Sequence, residues 1–262
     1  MNPIIFLWTH PRSLSTAFER SMRERGDLQC FHEPFMYFYY VEKRRVPFAH
    51  FDIDPLHPTR FADICDLIIE ASQRQPVFVK DMGYYLAREW GDGMLDGQQV
   101  IHSFLIRHPA KSIASYFKLD PDFSSEEVGL CALHEHVSIL HEMSGKVPAI
   151  VDADDLLANP EAVVRKYCQA VGLEFLPGAL QWEAKTSQDW GAVIRWHASV
   201  SRSTGFRQTP LTPVTSSEID ELLEPAPQLR RYYEAHIDAY KALHQLRLQV
   251  LIIKRPPSRH RH

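Results

Sequence analysis

Cysteine is sparse: Cys30, Cys65, Cys131 and Cys168 are spread over 262 positions with no close pair. That spacing argues against a disulfide framework and for reduced thiols in a reducing compartment, so the cytoplasm is the expected location. Positive charge is not in excess either, since 29 Lys and Arg stand against 33 Asp and Glu for a net charge of −4. Nothing global therefore draws the chain to nucleic acid or to an anionic membrane, and neither is expected as a partner. The apolar run from Ile4 to Trp8 is too short to span a membrane and lacks the basic flank and small-residue cleavage site of a signal peptide. No His-Glu-x-x-His spacing occurs among His134, Glu135, His136, His141 and Glu142; that stretch reads as a polar helix face, and no metal is expected. Internal repeats are absent.

What remains is a chain able to bury a sizeable core, with 45% hydrophobic residues over 262 positions. One domain is expected over residues 1–250, followed by a basic flexible tail over 251–262. Strand-like segments at Ile4 to Trp8, Leu28 to Phe31, Pro76 to Val79, Val100 to Ile106 and Pro148 to Val151 alternate with helical patterns such as Phe61 to Ser72. This alternation predicts an α/β fold, a parallel sheet between two helical layers. Beyond Phe206 the pattern turns helical, with Ser216-Ser217-Glu218 as a cap and a long segment from Leu229 to Val250. In open parallel sheets ligands sit beyond the carboxyl ends of the strands, which is where His10, Glu33, Lys80, Asp81 and Arg107 fall. The aromatics Tyr37 to Tyr40, Tyr84, Tyr85 and Trp90 are candidates for lining a pocket there, beside the Pro-rich and His-rich stretch from Pro47 to Pro58.

Two segments carry anion chemistry. The first apolar run stops at Thr9-His10-Pro11-Arg12-Ser13-Leu14-Ser15-Thr16 and then becomes helical. N–H groups at a helix start carry partial positive charge, so a phosphate or sulfate there is held by the dipole, the hydroxyls and Arg12 together. The second segment repeats this grammar, with a strand ending at Arg107-His108-Pro109 and a helix opening through Lys111 to Ser115. Arg107 and Ser115 are expected to converge on a second anion. Ser and Thr also serve as ordinary helix caps, but two such loops suit a nucleotide phosphorylated at two places.

Pro11 to Thr16 resembles the 5′-phosphosulfate loop of sulfotransferases that use 3′-phosphoadenosine 5′-phosphosulfate (PAPS), and Arg107 to Ser115 resembles their 3′-phosphate segment. Val151-Asp152-Ala153-Asp154-Asp155-Leu156 with Asn159-Pro160-Glu161 is similar to the family's strand-then-helix signature, and Ser203-Thr204-Gly205-Phe206 to its C-terminal cofactor loop. A sulfotransferase-like branch with an aminotransferase-like label is also similar, although no residue here points to pyridoxal chemistry. The resemblance implies a P-loop-like sulfotransferase architecture and PAPS as donor, with the desulfated PAP as product. It also implies a small-molecule acceptor, and leaves a homodimer or an accessory protein open as a partner. Arg12 stands where many members carry Lys, Leu14 where Gly is common, and Lys111 where Asp is usual.

For the acceptor's proton the candidate bases are Glu33, Asp81, His10 and His32. Some bacterial-type members use a Glu-Pro pair, which Glu33-Pro34 matches; others place the base after a third-strand Lys, where Lys80-Asp81 stands. Glu33 leads, with Arg12 and Lys80 facing the developing charge. Asp152, Asp154 and Asp155 read as strand-end and cap residues. Three alternatives are kept: sulfation that makes a hydroxyl a leaving group for ring closure, a nucleotide-dependent kinase, and a non-catalytic nucleotide binder. The kinase reading lacks a Gly-Lys-Ser/Thr ending on the first loop.

Overall fold

β1, Ile4–Thr9, has no exposed residue and lies at the centre of a five-stranded sheet. In this computed structural model the described residues are 2–43, 51–86, 95, 97–185, 190, 193 and 196–249. After β1 come α1 (Ser15–Arg23), β2 (Gln29–His32), a π-helical turn (Phe38–Glu42), α2 (Phe61–Arg74), β3 (Val77–Met82), β4 (Val100–Ile106) and α3 (Pro109–Phe117). Then follow α4 (Leu130–Ser144), β5 (Ala149–Asp152), α5 (Ala153–Ala158), α6 (Pro160–Ala170), α7 (Ala198–Ser201), α8 (Ser216–Leu223) and α9 (Pro227–Leu246).

The strand order is β2-β3-β1-β4-β5, and every pairing is parallel. Alternation along β1 feeds two cores. Ile5 and Leu7, with Phe78 and Leu105, pack on one face against Phe18 of α1 and Val164 and Tyr167 of α6. Ile4, Phe6 and Trp8 pack on the other against Ile64 and Ile68 of α2, Leu133 of α4 and Leu243 of α9. Each such buried side chain contributes about 1.5–3 kcal/mol relative to exposure, which sets the register of the central strands. The expected α/β architecture with helices on both faces is what forms.

The helix after β1 packs on one face, and the helix after β4 packs on the other through Ala110 and Ile113. Their strands are neighbours, so a crevice opens between the carboxyl ends of β1 and β4. Arg12 and Arg107 stand on the two loops that leave that crevice.

β3 ends at Lys80-Asp81-Met82 as expected, its pairing with β1 continuing to Thr9. Other local expectations shift. Thr215, not Ser216, caps α8, its hydroxyl accepting the N–H of Glu218 at 3.2 Å. His136 does not join a polar face of α4; it is 1% exposed and packs against Trp8, His102 and Phe104. Asp152 accepts from the N–H groups of Asp154 and Asp155 and so caps α5 as expected. Asn159 caps α6. None of the four cysteines forms a disulfide. Among the described residues no helix is long and apolar enough to cross a membrane. Trp90, the first part of the Pro47 to Pro58 stretch, Val250 and the tail at 251–262 lie outside the described residues.

Candidate active site

The loop from Thr9 to Ser15 turns by left-handed backbone at Arg12 (φ 63°) and Leu14 (φ 71°), and the only other non-glycine residue described with positive φ is Glu33 (φ 47°). A left-handed residue with a Cβ costs roughly 1–2 kcal/mol. Leu14 takes the shape a Gly would adopt freely, so the Gly-to-Leu departure keeps the loop's path and carries its strain. Strain of this kind persists where the surrounding structure holds it, typically at binding sites. Leu14 is also the N-cap of α1 and makes no side-chain cap, so the first N–H groups of the helix receive no acceptor from the cap residue's side chain. Ser13 is fully buried and its hydroxyl has no partner. A buried orphan hydroxyl beside open helix amides is the donor set that an oxyanion would satisfy.

The second loop leans on the first. Arg107 Nη1 donates to the carbonyl of Arg12 at 2.9 Å, and Arg12 Nε donates to Ser115 Oγ at 3.0 Å. Arg12 Nη1 also donates to the carbonyl of Trp196 at 3.0 Å. Burial and then the other guanidinium lower the pKa of Arg12; burial lowers that of Arg107, against a weaker pull from Asp154 and Asp152. Among the described residues neither guanidinium has a carboxylate within salt-bridge distance, and Arg107 Nε is buried without a partner. Two adjacent, largely buried cations are costly unless an anion joins them. Arg107, Ser115 and the first loop are therefore brought together by contacts centred on Arg12.

Lys80 is fully buried in β3, in register with His32, and its ammonium pairs with Glu33 Oε1. Tyr85 donates to Glu33 Oε2 at 3.0 Å. Burial favours the neutral acid at Glu33, but Lys80, His32 and the hydrogen bonds from Lys80 and Tyr85 outweigh it and lower the pKa. Glu33 is a carboxylate held by two donors. Asp81 projects to the opposite face of β3, where it accepts the N–H groups of Phe35 and Met82, each at 2.9 Å. Burial first and Glu33 second push its pKa well up. In this position Asp81 shapes the turn that follows Glu33. His10 accepts the N–H of Arg107 on Nε2 at 3.0 Å and is held down to about 3 by burial, then by His236 and Arg107.

One cavity gathers Arg12, Leu14, Ser15, Thr16, Glu33 and Arg107 with Tyr85, Tyr116, Trp196 and His197. Lys80 reaches it through Glu33, whereas Asp81 and His10 do not line it. Ser203, Thr204, Gly205 and Phe206 line a separate groove with Asn159, Trp182, Arg202 and Arg207. There Trp182 Nε1 donates to Ser203 Oγ at 3.1 Å and the rings of Trp182 and Phe206 meet edge-on at 5.3 Å. The structure does not bring this loop into the first cavity.

Sequence reasoning missed Tyr85 as a partner of Glu33 and missed His197 and Glu19 altogether. Thr16 Oγ1 lies 3.0 Å from His197 Nδ1, His197 Nε2 lies 3.0 Å from His32 Nε2, and His32 Nδ1 bonds Glu19. No spacing rule links residues 181 and 165 positions apart. His32, Glu33 and His197 place one nitrogen or oxygen each within 4.8 Å of one another. Lys80 already occupies Glu33 there, so a divalent cation would sit against an ammonium, and the group reads as a hydrogen-bonded cluster.

The fold matches the sulfotransferase domain from the Synechococcus PCC 7002 olefin synthase with a TM-score of 0.57 and 15% identity, covering 92% of this chain and 94% of that one. A sulfotransferase from Alicyclobacillus acidocaldarius aligns with a TM-score of 0.52 and 13% identity over 95% of this chain and 98% of its own. In sequence, the branched-chain-amino-acid aminotransferase-like protein 2 of Arabidopsis thaliana is 29% identical over 239 residues. That alignment takes in 89% of this chain but 42% of the relative, so the chain spans about two fifths of that relative's length. The family model described as a sulfotransferase domain matches residues 3–237, and the chain belongs to that family.

Proposed function

We propose that the protein transfers a sulfuryl group from PAPS to a hydroxyl or amine of a small-molecule acceptor. The observation that carries this reading is the pair of half-buried arginines, Arg107 bonded to the Arg12 carbonyl and neither paired with a carboxylate among the described residues, with the unpartnered Ser13 hydroxyl on the same loop. When bound, PAPS supplies an activated sulfuryl group on a phosphate. Arg12, Ser13, Ser15, Thr16 and the open amides of α1 would hold the phosphosulfate, and Arg107 with Ser115 the 3′-phosphate. Ser203 to Phe206 are assigned to the same donor, which requires the separate groove to join the first cavity on binding.

Glu33 takes the acceptor's proton. Its lowered pKa keeps it ionised, and Lys80 and Tyr85 fix the carboxylate at the cavity wall. Asp81 supports Glu33 by holding the Phe35 amide, and His10 supports Arg107 by accepting its N–H. The tyrosines narrow the acceptor class. Tyr85 donates a hydrogen bond to Glu33, and Tyr116 donates one to the buried Glu127 at 3.4 Å. The Tyr85 hydroxyl thus presents its lone pairs at the wall, which favours an acceptor that donates hydrogen bonds.

A thermal-shift comparison of PAP with ATP tests the donor. PAP should stabilise the protein, by about 2.7 kcal/mol at a hundredfold excess over Kd, and ATP much less because it lacks a 3′-phosphate. Equal shifts for the two nucleotides would remove the assignment.

A further inference from the structure

The chain of contacts from Thr16 to Glu19 has a direction that a single proton reverses. Glu19 is fully buried and receives Arg23 Nε on Oε1 at 2.7 Å. Burial favours its neutral form, but His32, Arg23 and Lys80 together lower its pKa, so it is an acceptor and His32 Nδ1 must carry hydrogen. The facing Nε2 atoms of His32 and His197, 3.0 Å apart, then share one proton between them. With His32 neutral, His197 donates from Nε2, its Nδ1 accepts, and the hydroxyl of Thr16 points at His197. With His32 protonated, every bond turns: His32 donates from Nε2, His197 donates from Nδ1, and Thr16 accepts. Its hydroxyl hydrogen is then free for the cavity that Thr16 and His197 both line.

We propose that His32 and His197 are positioning residues that set the direction of the Thr16 hydroxyl, so that an anion at the Arg12 loop and a proton on His32 bind together. The inference rests on the anion-binding reading of that loop, but not on the identity of the donor. The groups facing His32 are Glu19 on α1, the adjoining Glu33 with Oε1 at 3.7 Å, Lys80 on β3, His197, and the ring of Trp190 with its centre at 6.2 Å. Lys80 and Arg12 oppose positive charge on the His32 and His197 pair at its His197 end. An anion that neutralises Arg12 lessens that opposition and gains a hydroxyl donor in the same step. Anion and proton on the pair thus favour each other, and by reciprocity the anion binds more tightly as pH falls.

Nitrogen-15 histidine NMR on the full chain tests this, with a pH titration from about 5.5 to 8.5 in the range where imidazoles titrate. The probes are inorganic sulfate, which does not itself titrate there, and PAP. Saturating sulfate should increase the protonated fraction of His32 at a given pH, and sulfate should bind roughly tenfold more tightly at the acid end. His197 should move its hydrogen from Nε2 to Nδ1. Thr16→Ser should retain both changes and Thr16→Val should lose them, while sulfate binding to His32→Gln should be flat with pH. Sulfate binding with an unchanged His197 tautomer overturns the switch, and the wild-type spectra decide this even if a variant does not fold. If sulfate produces the shift and PAP does not bind, the switch stands and the PAPS reading falls. If neither ligand binds, both fall.

Discussion

The backbone carbonyl of Arg12 accepts a hydrogen bond from Arg107 at 2.9 Å, so two cations 95 positions apart in the chain meet at the crevice between β1 and β4. The same contact joins the two loops that resemble the ends of a PAPS site. Substitutions at either end should therefore be felt at the other.

Arg107→Ala removes a charged donor that has a spare buried Nε. It should weaken PAP by about 1.5–3 kcal/mol, the range for a charge-assisted hydrogen bond. Because the charge that lowers the pKa of Arg12 also disappears, the ligand-free protein should melt no lower than wild type. Calorimetric titration and a melting curve read the two effects; an unchanged Kd would make the second loop purely structural.

Glu33→Gln keeps shape and hydrogen-bonding capacity but not basicity, and should lower kcat by roughly 10²–10⁴ with PAP affinity near wild type. It also leaves the Lys80 ammonium buried without its anion, which costs up to about 3–5 kcal/mol of stability. The pair Glu33→Gln with Lys80→Met should recover stability and not turnover. Asp81→Asn is the comparison: it disturbs two amide bonds and should cost stability more than kcat. If Asp81→Asn abolishes turnover and Glu33→Gln does not, the base is Asp81.

Turnover should survive EDTA, since the charge at the site comes from Arg12, Arg107, Lys80 and the amides of α1. Loss of activity restored by added Mg²⁺ or Zn²⁺ would turn the His32, Glu33 and His197 cluster into a metal site.

Asp152 caps α5 and accepts Tyr240 at 3.0 Å, yet burial, then Asp154, push its pKa up to about 6 against the ordinary 3.8. The fold thus favours its neutral form. Its contribution is fully present below the unfolded value near 4 and is lost as pH rises to about 6, a change of roughly 3 kcal/mol. Unfolding by urea at several pH values should show Asp152→Asn gaining on wild type across that interval. A constant difference between the two would contradict the assignment.

Much of the fold was legible because strand and helix periodicities are local. The apolar runs of β1 and β4 marked their ends within a residue or two, and the residues just past those ends, with Glu33 after β2, are the ones the parallel sheet collects at one edge. The loop chemistry of Arg12, Ser13 and Thr16 was likewise visible, because hydroxyls and a cation between a strand and a helix have a physical meaning without neighbours. The roles of Glu33 and Asp81 were not separable in this way. Both are carboxylates at strand ends, and only the pleat of β3, which sends Lys80 and Asp81 to opposite faces, distinguishes a cavity carboxylate from one that holds a turn.

Order along the chain was thus enough to name an α/β sheet with loops of hydroxyls and cations at its carboxyl edge, because those features depend on residues within a few positions of one another. Tertiary structure alone decided which side chains touch. The Lys80 to Glu33 pair, the Tyr85 hydroxyl on Glu33 and the Thr16, His197, His32, Glu19 chain join residues 47, 52 and up to 181 positions apart. Their distances follow from strand order and helix packing, and no local pattern encodes either.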